Sequence, residues 1–182
     1  DAILPNVSVS GIDVSNMTVE QAQSAIASTV EQKGGDLSFI LRYEDIEERL
    51  TLDQLAVDAG QSAQNAWNIG RGNFFTGGPQ LVSHMLGVSS QVPVVLPEDD
   101  PAVTDLIHRV KERIDAAAED HGYQMEGGRL VMIKGAPVIT VDWETLKADL
   151  FDHRFPDAVQ SMAEGVEEYQ FTFHADQSEA EE

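Results

Sequence analysis

The residues with the most evident chemistry lie between Ala66 and Phe75. Arg71 stands between Gly70 and Gly72, four residues after Trp67 and just ahead of Asn73, Phe74 and Phe75. A guanidinium offers a planar fork of donors that fits a carboxylate or a phosphate. Gly70 can take the left-handed conformation that stops a helix. Gly72 leaves the chain beyond Arg71 open to close approach, and Asn73 makes a polar exit. Two adjacent aromatics in a glycine-rich loop do not both turn inward easily, so one of Phe74 and Phe75 is expected at the surface, where it could stack on a sugar ring. A second reading stands beside this one. Arg71 could instead bond helix-end carbonyls or a nearby carboxylate, with Trp67 in the core. With 32 acids against 11 bases, a paired arginine is the ordinary expectation.

Other chemical sets are sparse. The chain has no cysteine, which excludes disulfides, thiolate metal sites and a cysteine nucleophile. It has no Gly-x-Ser-x-Gly elbow, no His-Glu-x-x-His, no phosphate-binding loop and no Rossmann glycine set. His108 and Glu112, with Asp105 a turn earlier, have helical spacing for a metal, but no second histidine completes the set. Glu98, Asp99 and Asp100 lack the alternating ligand loop of a calcium site, and Asp100 has a simpler use as a helix cap. Glu119–Asp120 and Asp149–Asp152 are acid pairs, yet nothing in the sequence sets two carboxylates across a cleft. Asp149, Asp152, His153 and Arg154 read as a solvated helix end. No metal and no cofactor is expected.

The formal net charge is −21 over 182 residues. A field of that sign repels nucleic acid and anionic polymers, and favours cations or ammonium-bearing ligands. No run approaches the ~20 apolar residues of a membrane span. The opening Asp1-Ala2-Ile3-Leu4-Pro5 is no signal peptide and looks like a cut through a longer protein. Residues 1–175 are expected to form one domain, and 176–182 an acidic linker.

These residues must be positioned by alternating helices and hairpins. Val7, Val9 and Ile12 suggest a short strand pair around Gly11. Thr18 and Gln21 fit a capping box, followed by Val19, Ala22, Ile26 and Val30 on one helix face. Residues 37–52 read as a hairpin turning at Glu44-Asp45. Asp58 and Gln61 open the helix that Gly70 ends. Pro79 starts a short helix with Leu81, Val82, Met85 and Leu86. Val92, Val94, Val95 and Leu96 read as a strand broken by Pro93, hence an edge or bulge. Asp100-Pro101 begins the clearest helix, with Arg109, Lys111, Glu112 and Arg113 on a solvated face. A second hairpin spans Tyr123 to Val141, with turns at Gly127-Gly128 and Lys134-Gly135-Ala136-Pro137. Asp142 caps a helix with Trp143, Leu146 and Leu150 inward, and Tyr169, Phe171 and Phe173 share one side of a last strand. Hairpin-then-helix thus occurs twice, a weak internal repeat. Strand pairs between helices imply an α+β fold, a largely antiparallel sheet of hairpins packed against several helices.

Residues Pro5 to Val14, followed by Met17-Thr18-Val19-Glu20-Gln21-Ala22, resemble the opening of ectodomains in the VanW/YoaR family. Ala66 through Gly72 is similar to the Ala-x-x-x-Gly-Arg-x-Gly core of that family's peptidoglycan-binding domain, which also precedes L,D-transpeptidase domains. Val138 through Leu146 resembles its later hairpin and helix start. The resemblance implies a non-catalytic cell-wall module outside a Gram-positive-type membrane, anchored upstream in a larger bacterial protein. Its partner would be the glycan or stem peptide of peptidoglycan, met by Arg71, Trp67, Asn73, Phe74 and Phe75. The alternatives are a structural spacer for a neighbouring catalytic or receptor domain and, last, a hydrolase.

Overall fold

Short polar side chains at helix starts set the first elements. The Thr18 hydroxyl accepts from the Gln21 amide at 3.2 Å, and the Gln21 side chain accepts from the Thr18 amide at 3.0 Å. That reciprocal cap opens α1 (Val19–Lys33), whose buried face is Ala22, Ile26 and Val30 as the spacing predicts. Asp58 caps α2 (Ala59–Asn68) through the Gln61 amide, while the Gln61 side chain turns forward to Asn65 rather than back to the cap. The computed structural model describes residues 1–71, 89–120, 123–132 and 138–178.

Before α1 lie β1 (Val7–Val9) and β2 (Ile12–Asp13). After it come a 3₁₀ turn (Gly34–Asp36), β3 (Ser38–Tyr43), β4 (Ile46–Thr51) and a second 3₁₀ turn (Leu52–Gln54). The two turns touch through backbone. A Cβ on Gly34 would lie 2.5 Å from the Asp53 nitrogen, so only glycine fits. Beyond α2 follow β5 (Ser90–Val92), α3 (Pro101–Asp120), β6 (Tyr123–Glu126), β7 (Arg129–Met132), β8 (Val138–Thr140) and α4 (Trp143–Asp149). One π-helical turn (Leu150–Arg154) joins α4 to α5 (Phe155–Ala163), and β9 (Glu168–Thr172) and β10 (Asp176–Ser178) close the described chain.

The fold is α+β, with its strands divided among three small sheets: β2-β1-β5, β4-β3-β9 and β10-β8-β7-β6. Hairpin pairing is antiparallel, as expected. Two parallel pairs, β1 with β5 and β3 with β9, bring distant strands together. The β3–β4 hairpin precedes α2, and the β7–β8 pair precedes α4, which is the hairpin-helix echo. Among the described residues, one apolar cluster runs through the first two sheets and the helices named above, from Ile3 and Val7 through Phe39, Leu106 and Leu150 to Phe155 and Phe173. Tyr169 stacks on Phe39 with centroids 5.5 Å apart, and Phe173 meets Tyr43 and Trp143.

Several expectations need correction. The strand through Val92 stops before Pro93, because proline cannot donate to a ladder. Val94 and Val95 run on without a strand partner and are held by buried serines: the Val94 amide donates to Ser10 Oγ at 2.8 Å and the Val95 amide to Ser62 Oγ at 2.9 Å. The helix opened by Asp142 does not end at Asp149–Arg154. It passes through the π turn into α5, where Pro156 has no amide proton to offer an α-helical ladder. Residues 176–178 are not linker but the strand β10, paired with β8. The basic face of α3 is exposed at Glu112 and Arg113 as expected, but its arginines also reach β4. Arg109 bonds Glu48 at 2.7 Å, Asp105 at 3.0 Å and the Arg49 carbonyl at 3.1 Å, and Arg113 reaches the Glu47 carbonyl at 2.7 Å. These contacts clamp α3 on β4. The helix expected from Pro79 and the turn at 134–137 lie outside the described residues. No helix among the described residues is long and apolar enough to cross a membrane.

Candidate functional site

The Gly-Arg corner is built from the end of α2. Gly70 takes φ +77°, and a Cβ there would sit 2.7 Å from Leu4 Cδ1. The left-handed turn brings Arg71 back over its own helix. Its Nη1 donates to the Trp67 carbonyl at 2.6 Å, and its Nη2 donates to the carbonyl of Ala2. The guanidinium carbon lies 4.3 Å from the Trp67 ring centroid, a stacked cation–π contact. Trp67 is half-buried against the core. The guanidinium therefore caps a helix and ties down the first residues, where Ile3 is buried and donates to the Met17 carbonyl at 2.7 Å. Among the described residues, Arg71 is held through carbonyls and not by a carboxylate. Gly72, Asn73, Phe74 and Phe75 lie outside the described residues, so the structure brings together only Trp67, Gly70 and Arg71 of that set.

A concavity among the described residues lies elsewhere. The segment after Pro93 faces α4 and the π turn across a cleft of about 630 Å³. Buried Val94 and Leu96 and half-buried Phe151 give it an apolar floor, and Glu98, Glu144, Lys147, Ala148 and Asp152 form its walls. A second hollow of about 550 Å³ shares Pro93 and Asp152 and continues past Gln91, His153 and Asp157. Together they make an open trough between the β5 end and the α4–α5 unit. No residue of the Arg71 corner lines either part.

Why the trough holds its shape follows from its supports. On one side, Ser10 and Ser62 suspend Val94 and Val95, and the Val95 carbonyl accepts from Asp58 at 2.8 Å. Asp100, fully buried, accepts from Ala56 at 2.7 Å and Ala102 at 3.0 Å, fixing the end of that segment to the start of α3. On the other side, the π turn swings Phe151 and Asp152 to the opening. It is braced from behind by Arg154, which donates to Asp149 at 3.0 Å and lies 4.2 Å over the Phe171 ring. The Asp149 bond holds the guanidinium above its usual pKa. Burial raises the Tyr169 hydroxyl, which donates to Asp157 at 3.2 Å. Such turns recur at functional sites because they re-aim a helix face.

The remaining candidates resolve into local contacts. His108 and Glu112 approach to 3.1 Å, but both are about two-thirds exposed, and Asp105 turns to Arg109. Among the described residues no group of acids and histidines is arranged to hold a metal. Asp100 caps as expected. Asp149 is committed to Arg154, so Asp149–Asp152 is not a facing acid pair. The side chains of Glu119 and Asp120 lie outside the described residues. The trough itself was not legible in the sequence. Its signals are a proline ending a valine-rich strand and a second proline just inside a helix, but neither says that the two segments face each other.

Set beside known proteins, the chain matches no protein-family model, no curated protein and no solved structure. The class defined here is therefore the one in the geometry: an α+β domain with an open, braced trough and an arginine-locked first segment.

Proposed function

We propose that this chain is a non-catalytic binding module for the bacterial cell wall, and that it receives peptidoglycan in the trough rather than at Arg71. The observation that carries this reading is the trough's form. It is open, with an apolar floor and polar walls, and its two sides are fixed by buried and half-buried hydrogen bonds before any ligand arrives. A preformed channel suits a linear ligand, because little ordering cost remains to be met on binding. The resemblance of Pro5 to Val14 and of Ala66 to Gly72 to wall-binding ectodomains points to the same ligand and to a place outside the membrane.

The test is co-sedimentation with purified sacculi. Ala148 lines the cleft and is exposed, so Ala148→Trp fills the trough without touching the core. The variant is expected to lose retention at unchanged thermal midpoint, and full retention would refute the placement. A spacer role is the second reading, favoured by the double tie of the first segment at Ile3 and Ala2. It expects no saturable binding of muropeptides by calorimetry.

A further inference from the structure

The trough shares the acid excess of the rest of the chain, but sets it around an apolar floor. The chain has 11 lysines and arginines for 32 acids. Arg42, Arg49, Arg109 and Arg113 are spent on the β3–β4 hairpin and its contact with α3, Arg154 on Asp149, and Arg71 on two carbonyls. Among the described residues, Glu98, Glu144 and Asp152 make no ion pair, although all three stand on one cleft. Among the described residues lining that cleft the only strong base is Lys147, whose Nζ lies 5.9 Å from the Phe151 ring centroid. Between these charges the floor is Val94, Leu96 and Phe151.

We infer that the trough selects a peptide carrying a free side-chain ammonium, with one peptide carboxylate received by Lys147. This rests on the wall-binding reading and narrows it from glycan or peptide to the stem peptide. The methylenes of a diamino acid side chain match the apolar floor, as aliphatic stems of cationic side chains do elsewhere. The ammonium meets carboxylates that have no internal cation to displace, and Phe151 offers a ring face beside them. An uncharged glycan would use the Phe151 ring and the carboxylates as hydrogen-bond acceptors, but would leave the charges of the acids and of Lys147 unmatched. An anionic wall polymer would meet three carboxylates for one lysine. Lys147 supplies the opposite sign at one point only, which fixes the direction in which a zwitterionic peptide lies.

Calorimetric titration of the intact chain with two probes tests this: the peptide L-Ala-γ-D-Glu-L-Lys-D-Ala, and the same peptide acetylated at the lysine Nε. The free-amine peptide is expected to bind about tenfold tighter, a modest factor because the three carboxylates are exposed and their pairs are screened. In the combined variant Glu98→Gln, Glu144→Gln, Asp152→Asn the two peptides should bind alike. Lys147→Met should weaken both peptides and keep their ratio. Equal affinity of the two peptides in the unmodified chain, or a ratio that survives the combined variant, would overturn the inference. The sacculus assay separates the two levels. If Ala148→Trp abolishes retention while the peptides bind equally, the trough stands as the site and the ammonium selection falls. If Ala148→Trp is retained, the site reading falls, and this inference with it.

Discussion

Replacing Arg71 with alanine separates the two roles open to the most conspicuous residue of the chain. The variant removes two charge-assisted hydrogen bonds, to the carbonyls of Trp67 and Ala2, and the stack on the Trp67 ring. Hydrogen bonds from charged donors contribute about 1.5–3 kcal/mol each when protected from water. Arg71 is exposed, so about half the lower figure is appropriate for each. The ring contact adds roughly 0.5 kcal/mol at an exposed site. The expected loss is about 2 kcal/mol, or a fall of about 4–8 °C in thermal midpoint for a domain of this size. It should be local first. Amide exchange at Ile3, which donates to Met17, and at Asn16, which donates to Ile3, should accelerate before the rest of the fold. Arg71→Lys should recover only part, since an ammonium cannot serve both carbonyls and stack as a plane. Sacculus binding per folded molecule should be unchanged. The reasoning fails if Arg71→Ala keeps its midpoint and its Ile3 protection but loses retention on sacculi. In that case the corner is a ligand site.

Three further outcomes follow from particular contacts. Gly34→Ala should cost about 2 kcal/mol in urea unfolding, because the new methyl meets the Asp53 backbone; Gly35→Ala, where only the Asp53 carboxylate comes within 3.6 Å, should be nearly neutral. Glu44 holds φ +52° in the two-residue turn between β3 and β4, so Glu44→Gly should stabilise the fold by about 0.5–1 kcal/mol, seen as a raised urea midpoint. Asp142 is held below the usual 3.8 by the Thr145 hydroxyl and amide, and Asp13 by hydrogen bonds from Ser15. Both folded values lie below the unfolded ones, so their stabilisation is present above the unfolded pKa and is lost as pH falls through the folded values. The gap in urea midpoint between the unmodified chain and Asp142→Ala should therefore narrow as pH falls below 3.8 and through the lowered folded value, and a constant gap would refute the assignment.

Local instructions in this chain are strong wherever one side chain settles one backbone group. Thr18 with Gln21, Asp58, Asp100 and Asp142 cap the helices that their positions announce, since a short polar side chain reaches an amide two or three residues on whatever the rest of the fold does. The α+β class, the apolar faces of α1 and α3 and the aromatic side of β9 follow from periodicity in the same way. The hairpins follow from alternation and turn residues, with Gly127 and Gly128 at positive φ between β6 and β7. What lay beyond the sequence are matters of partner choice across long separations. Periodicity marks Arg109 and Arg113 as polar positions but cannot say that Glu48 stands opposite them. Two glycines and an arginine announce a turn, yet only the folded chain brings the Ala2 carbonyl to Arg71. The trough depends most on tertiary structure. It exists because Ser10, Ser62 and Asp100 hold the segment after Pro93 on one side while a π turn presents Phe151 and Asp152 on the other, and no local pattern records the gap between them.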